Sequence, residues 1–190
     1  MSPPSHPERR RPPPLDAAKL DRLALRYVER FATTRGKLAD YLRRKVRERG
    51  WDGPPADPVA VAERMAQLGY IDDLAFAEAR ARGMARRGLG ERRVKVTLRA
   101  AGIDAEDAAT VAPQVEAAAV ESAMTFARRR RLGPFATQPA DRAVREKQLA
   151  AMLRAGHGLS LARQILETPP GEPFADDLTA LVRCDDVEPC

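Results

Sequence analysis

The sequence is poor in the side chains that most often carry chemistry. Its 190 residues include two histidines, two cysteines and one tryptophan, and aromatic residues make up only 5%. His6 lies in a stretch rich in proline and arginine, and His157 stands by itself after a helix stop, so neither has a nucleophile or a ligand set beside it. Cys184 and Cys190, six positions apart, form neither a metal box nor a disulfide framework, which points to a reducing compartment and a cytoplasmic protein. No apolar run nears the roughly 20 residues that cross a bilayer. Residues 1–14 lack the apolar centre of a signal peptide, so no membrane partner is expected. The turn Gly88-Leu89-Gly90 has neither the preceding strand nor the Lys-Ser/Thr ending of a phosphate loop. Together these absences argue against an enzyme: catalytic residues, a metal and a cofactor are not expected.

Strand-like alternation is missing as well, and a helical period takes its place. Leu20, Leu23, Ala24, Tyr27, Val28 and Phe31 follow the i, i+3, i+4, i+7 stripe of a helix facing a core. A second helix carries Leu38, Tyr41, Leu42 and Val46 and stops at Gly50. Asp57 then caps a third, with Pro58 at its first position and Val61, Ala62, Met65 and Leu68 as its buried stripe. The pattern restarts at Asp72, a good N-cap preceded by Ile71, which can staple onto Phe76. Helices with Leu74, Ala77, Ala81 and Met84, and with Val94, Leu98 and Ala101, lead to Gly102. A short third helix with Ala108 and Val111 ends at a joint marked by Pro113. The last cycle runs through Val115, Ala119 and Phe126 to Arg128–Arg131. A helix from Asp141 to Gly156 follows, then a final one through Leu161 and Leu166.

The second helices therefore stop at Gly50, Gly102 and Gly156, spacings of 52 and 54 residues, which marks an internal repeat. The reading is an all-α protein of three tandem three-helix repeats forming an elongated, curved array. Repeat 1 covers 15–71, repeat 2 covers 72–112 and repeat 3 covers 113–167. A disordered Pro/Arg-rich arm at 1–14 and an acidic tail at 168–190 flank them.

Charge is unevenly spread. The net is +6, with +2 on residues 1–14, −5 on 168–190 and so +9 on the repeats. Between Arg80 and Arg99, eight cations (Arg80, Arg82, Arg86, Arg87, Arg92, Arg93, Lys95, Arg99) face one acid, Glu91. Arg82 and Arg86 share one helix face, and Arg92, Lys95 and Arg99 share a face of the next, all off the apolar stripes. A solvated, solubilising face is the plain alternative, but +7 over twenty residues exceeds what solubility requires. Arginine also pairs with phosphate or carboxylate through two parallel hydrogen bonds. A second cluster, Arg128, Arg129, Arg130 and Arg131, reads equally as a binding group or as a helix C-terminus favoured by its dipole. Asp72 and Asp73 read as caps and dipole partners rather than metal ligands, and Phe76 as a staple.

The stretch from Leu68 to Ile103 resembles the central repeat of the RecX family of recombinase regulators. The matching elements are Asp72–Asp73, Phe76–Ala77, the arginine-rich helix end, the Gly88–Gly90 turn and the finish at Gly102–Ile103. Gly36 to Leu42 with the stop at Gly50, and Arg145 to Leu149 with Leu153 to Gly156, are similar to the family's outer repeats. His157 stands where the family often has an aromatic residue. The Trp51–Pro58 loop is long, and the arm and tail lie outside the pattern. The resemblance implies a protein that binds the RecA filament, inhibits its ATPase, growth and strand exchange, and lies along the filament groove. A monomer is expected, with weak, nonspecific contact to single- or double-stranded DNA. The alternative is a sequence-nonspecific helical DNA-binding protein that acts without RecA.

Overall fold

A computed structural model describes residues 13–174. His6, both cysteines, most of the N-terminal arm and most of the acidic tail lie outside the described residues. The described residues form helices, with no strand beyond an isolated bridge between Leu15 and Trp51. No described helix is long and apolar enough to cross a membrane. The chain divides into two compact units, Met1–Asp72 and Asp73–Cys190.

The first unit holds α1 (Ala17–Val28), α2 (Arg35–Arg49) and α3 (Pro58–Gln67). Each starts where a short polar side chain can take up an orphan amide. Asp16 accepts from the Lys19 N–H at 2.8 Å, Thr34 from Lys37 at 3.1 Å, and Asp57 from Val59 and Ala60 at 3.1 and 2.9 Å. Leu15, Leu20, Ala24, Leu38, Leu42, Val61, Met65 and Ile71 form the core, and each large aliphatic chain buried there contributes about 1.5–3 kcal/mol. Leu15 is locked in by its own backbone, which donates to the Gly50 carbonyl and accepts from Asp52.

Two members of the predicted stripes are not buried. Phe31 is 53% exposed and Leu68 62%. The period holds only while the helix continues: α1 ends at Val28, and Leu68 is the C-cap of α3 ahead of a left-handed Gly69, so each side chain leaves the buried face.

The second unit contains α4 (Asp73–Ala85), α5 (Glu91–Ala100), α6 (Ala105–Ala117), α7 (Ala119–Arg130), a 3₁₀ turn (Gly133–Phe135), α8 (Arg142–Ala155) and α9 (Leu159–Glu167). Ala77, Ala81, Met84, Val94, Leu98, Ile103 and Val111 build one cluster, with Phe76 and Val115 packed on it. Ala123, Ala127, Leu132, Met152, Leu161 and Ile165 build another. Ile71 belongs to the first unit's core, whereas Phe76 packs on that of α4–α6.

Pro113 is a correction to the expected joint. It lies inside α6, which continues to Ala117, and Val115 belongs to the α4–α6 core rather than to the following cycle. Proline removes one amide donor, a loss that burial of Val111 and partial burial of Val115 on the same helix offset. The break comes at Ala118, where one residue separates α6 from α7. The expected helix stops are present: Gly50, Gly102 and Gly156 all have positive φ (82°, 74° and 96°), which glycine adopts at little cost, but Gly156 takes the left-handed helical conformation (ψ 15°), whereas Gly50 is extended in ψ (168°).

Candidate functional site

The arginine-rich run occupies the end of α4, the turn after it and the length of α5. Arg80, Arg82, Arg86, Arg87, Arg92, Arg93, Lys95 and Arg99 are all exposed, because the apolar positions between them (Ala81, Met84, Val94, Leu98) turn the opposite face to the core. Arg86 lies just past α4, but its amide still donates to the Arg82 carbonyl at 3.1 Å, which keeps the two on one face. Two of the cations have an acid one turn away. Arg82 meets Glu78 at 3.2 Å, and Lys95 meets Glu91 at 2.5 Å. Such exposed i, i+4 pairs contribute only about 0.3–0.5 kcal/mol, little enough to be exchanged for an anionic partner. Arg99 and Lys95 also edge a groove of about 390 Å³ between α5 and α6, floored by Val94, Leu98, Val111 and Val115.

The structure brings part of the second arginine cluster to the first. Arg129, on the last turn of α7, donates to the Arg87 carbonyl at 2.9 Å and the Arg86 carbonyl at 3.1 Å. These carbonyls follow the C-terminus of α4, where acceptors are left over and the dipole is negative. One guanidinium fork answers both needs. Arg128 lies over the Phe135 ring at 4.9 Å and Arg130 over Phe126 at 5.8 Å. Arg131 takes the left-handed conformation, φ 55°, that closes α7. All four remain exposed, but three of them also hold α7 and its following turn in place.

What sequence reasoning missed is the purpose of Gly88-Leu89-Gly90. The turn docks against the stop of α8. The Gly90 amide donates to the Ala155 carbonyl at 3.0 Å and the Arg92 amide to the Gly156 carbonyl at 3.1 Å. A Cβ on Gly90 would sit 2.4 Å from the Gly156 carbonyl carbon, and one on Gly156 would sit 2.4 Å from the Arg93 nitrogen. The two backbones touch, so side chains are excluded from both. The α5 N-terminus, which lacks a side-chain cap, is satisfied in part by this neighbouring carbonyl.

His157, read from sequence as solitary, completes the junction. It is 2% exposed, its Nε2 lies 3.1 Å from the Gly88 carbonyl, and its ring meets Phe126 edge-on at 5.4 Å. Burial lowers its pKa from the ordinary 6.5, against the smaller opposing effect of the Gly88 carbonyl. Facing a carbonyl, the neutral ring must carry its proton on Nε2 and donate it. Nothing in the sequence pairs the Gly-X-Gly turn with the Gly-His stop 66 residues on, because a contact at that separation has no local signature.

The arrangement therefore holds Arg86, Arg87, Arg92 and Arg93 around one rigid backbone junction, with Arg129 fastened beneath. It can neutralise a polyanion and offers no proton-transfer pair. Among the described residues, no group of three or more His, Cys, Asp and Glu is placed to hold a metal ion.

Residues 72–111, which contain this run, match a family model described as RecX, second three-helix domain. A regulatory protein RecX from Myxococcus xanthus (strain DK1622) is 30% identical over 170 residues, covering 85% of this chain and 91% of the relative. The chain belongs to the RecX family. RecX proteins of Agrobacterium fabrum (strain C58 / ATCC 33970) and Thermobifida fusca (strain YX) are 30% and 31% identical over 75% and 78% of the chain and 79% and 77% of their own lengths. All three carry the name regulatory protein. The crystal structure of RecX from Lactobacillus salivarius superposes with a TM-score of 0.61 at 22% identity, covering 79% of this chain and 94% of that one, and so shares the fold. This RecX-family chain is thus a regulator whose described residues are helical, and the eight exposed cations of α4, its turn and α5 fall within the repeat that the family model matches.

Proposed function

We propose that this chain binds the RecA nucleoprotein filament and restrains its ATP hydrolysis, growth and strand exchange, using the arginine rim of α4 and α5. The observation that carries the reading is the exposure of eight cations on two consecutive helices around an immobilised turn. A rim of this kind meets acidic protein surface, nucleic-acid phosphate or both, and its fixed backbone keeps the cost of ordering low. The relatives' shared name, regulatory protein RecX, supports the regulatory role. In this reading the protein is cytoplasmic, monomeric and part of DNA recombination and repair. Arg82, Arg86, Arg87, Arg92, Arg93, Lys95 and Arg99 make the contact, with Arg128–Arg131 at its margin.

The test is a titration of the protein into RecA hydrolysing ATP on single-stranded DNA. Wild type inhibits. Arg92→Glu combined with Arg99→Glu, both exposed on α5, needs on the order of tenfold more protein for half-inhibition while helicity stays the same. Unchanged inhibition by the double variant would move the contact surface elsewhere, and no inhibition by wild type would remove the reading.

The second reading, DNA binding without RecA, draws on the same cations. Neutralising about six phosphates would give a log–log salt slope of roughly −5. Filament inhibition that persists when DNA binding has been titrated away by salt would separate the two.

A further inference from the structure

The first unit carries a basic surface of its own. Residues 26–49 hold nine Lys and Arg against three acids, close in density to the run in the second unit, yet differ from it by including aromatics. Tyr27, Phe31 and Tyr41 form a short ladder: the Tyr27 and Tyr41 rings stack with centroids 4.4 Å apart, and Phe31 follows Tyr27 at 5.2 Å. The two tyrosines are half-buried against the core, while Phe31 is 53% exposed. Cations flank the ladder at matching spacings. Arg30 lies 5.8 Å from the Phe31 centroid, three residues after Tyr27. Arg44 and Lys45 lie 5.7 and 5.8 Å from the Tyr41 centroid, three and four residues after it.

We propose that this ladder is a stacking site for single-stranded nucleic acid, with Phe31 receiving an unpaired base and Arg30, Arg44 and Lys45 the adjoining phosphates. The backbone under Phe31 is held at both ends: its amide donates to the Tyr27 carbonyl at 3.0 Å, and Thr33 and Thr34, two and three residues on, are buried. An exposed ring fixed in place, backed by two more rings and edged by positive charge, is the combination that binds single strands without regard to sequence. A duplex keeps its bases stacked inside and has no face to offer Phe31. An acidic protein surface would match the cations but gains nothing particular from the ring. Lys45 and Arg44 share Glu48, at 2.6 and 3.7 Å, and these exposed pairs are weak enough to yield to phosphate. The Arg30 contact is likewise an exposed cation–π pair, which a base can displace while the guanidinium turns to the chain's phosphate.

This site requires no RecA, so its test is independent of the filament reading. Binding of the full chain to a labelled oligothymidine of roughly 16 nucleotides is followed by fluorescence anisotropy, beside an abasic strand of equal length. Wild type is expected to prefer the strand with bases. Phe31→Ala weakens oligothymidine binding on the order of tenfold, leaves abasic binding unchanged and keeps the same salt slope, whereas Phe31→Trp retains the affinity. Equal wild-type affinity for the two strands, an equal loss on both in Phe31→Ala, or normal oligothymidine binding by Phe31→Ala would each overturn the proposal.

Discussion

Gly90→Ala, with Gly90→Ser beside it, isolates the backbone junction of the second unit. Gly90 has φ −80°, which alanine adopts freely, so no backbone strain enters. The added methyl would instead stand 2.4 Å from the carbonyl carbon and oxygen of Gly156 and 2.5 Å from the His157 nitrogen, about 1 Å inside ordinary contact. The neighbour is backbone and cannot rotate away, so the turn and the α8 stop must separate. Separation strains three hydrogen bonds together: Gly90 to Ala155, Arg92 to Gly156, and His157 to Gly88. At about 1 kcal/mol each, the loss is about 3 kcal/mol. Alanine is also a poorer N-cap than glycine, and Gly90→Ser removes that ambiguity because serine caps well yet brings the same Cβ. Gly83→Ala is the counter-example. Gly83 lies within α4, with only the far end of Arg86 as near as 4.0 Å, so alanine there should stabilise by about 0.5–1 kcal/mol. Urea denaturation followed by circular dichroism gives the energies, and hydrogen exchange at the amide of Arg92 reports the junction directly. If Gly90→Ser were as stable as wild type, or if the Arg92 amide kept its protection in Gly90→Ala, the reasoning from backbone contact would be refuted.

Two more outcomes follow from the same region. His157 has a folded pKa below its ordinary 6.5, so the unfolded chain takes up the proton first and stability should fall as pH drops below about 6.5. His157→Phe should remove that part of the pH dependence, which urea midpoints measured from pH 7.5 down to pH 5 will show. Arg129→Ala should cost about 1 kcal/mol, because two carbonyls at the end of α4 lose their donor. Arg129→Lys should not restore it, since an ammonium cannot present the two-pronged fork, and comparing the two variants' thermal midpoints decides the point.

Local chemistry in the chain was enough to specify most of the helices. Asp16, Asp57, Asp104 and Asp141 cap helices because a short carboxylate takes up an orphan amide wherever it precedes an apolar stripe. Gly50, Gly102 and Gly156 follow helix ends because each takes a positive φ that residues with a Cβ rarely adopt. The exposure of the arginines between Ala81 and Leu98 follows from the same period. Where local rules compete, sequence reasoning failed. Pro113 signals a break, but packing of the buried Val111 and half-buried Val115 carries α6 through it. Phe31 and Leu68 continue an apolar stripe on paper, but their helices have already ended.

Contacts between distant segments were not legible at all. Nothing near Gly88 announces that its carbonyl will meet a histidine 69 residues away, and nothing near Arg129 announces that it will bind the end of α4. Nor does the spacing of Tyr27, Phe31 and Tyr41 say that two will back the core while the third stays in solvent. Capping and periodicity act within a turn or two, so the linear chain determines helices and the sign of their outer faces. Which charges are fastened and which stand free to meet a partner depends on backbone approaches that only packing creates.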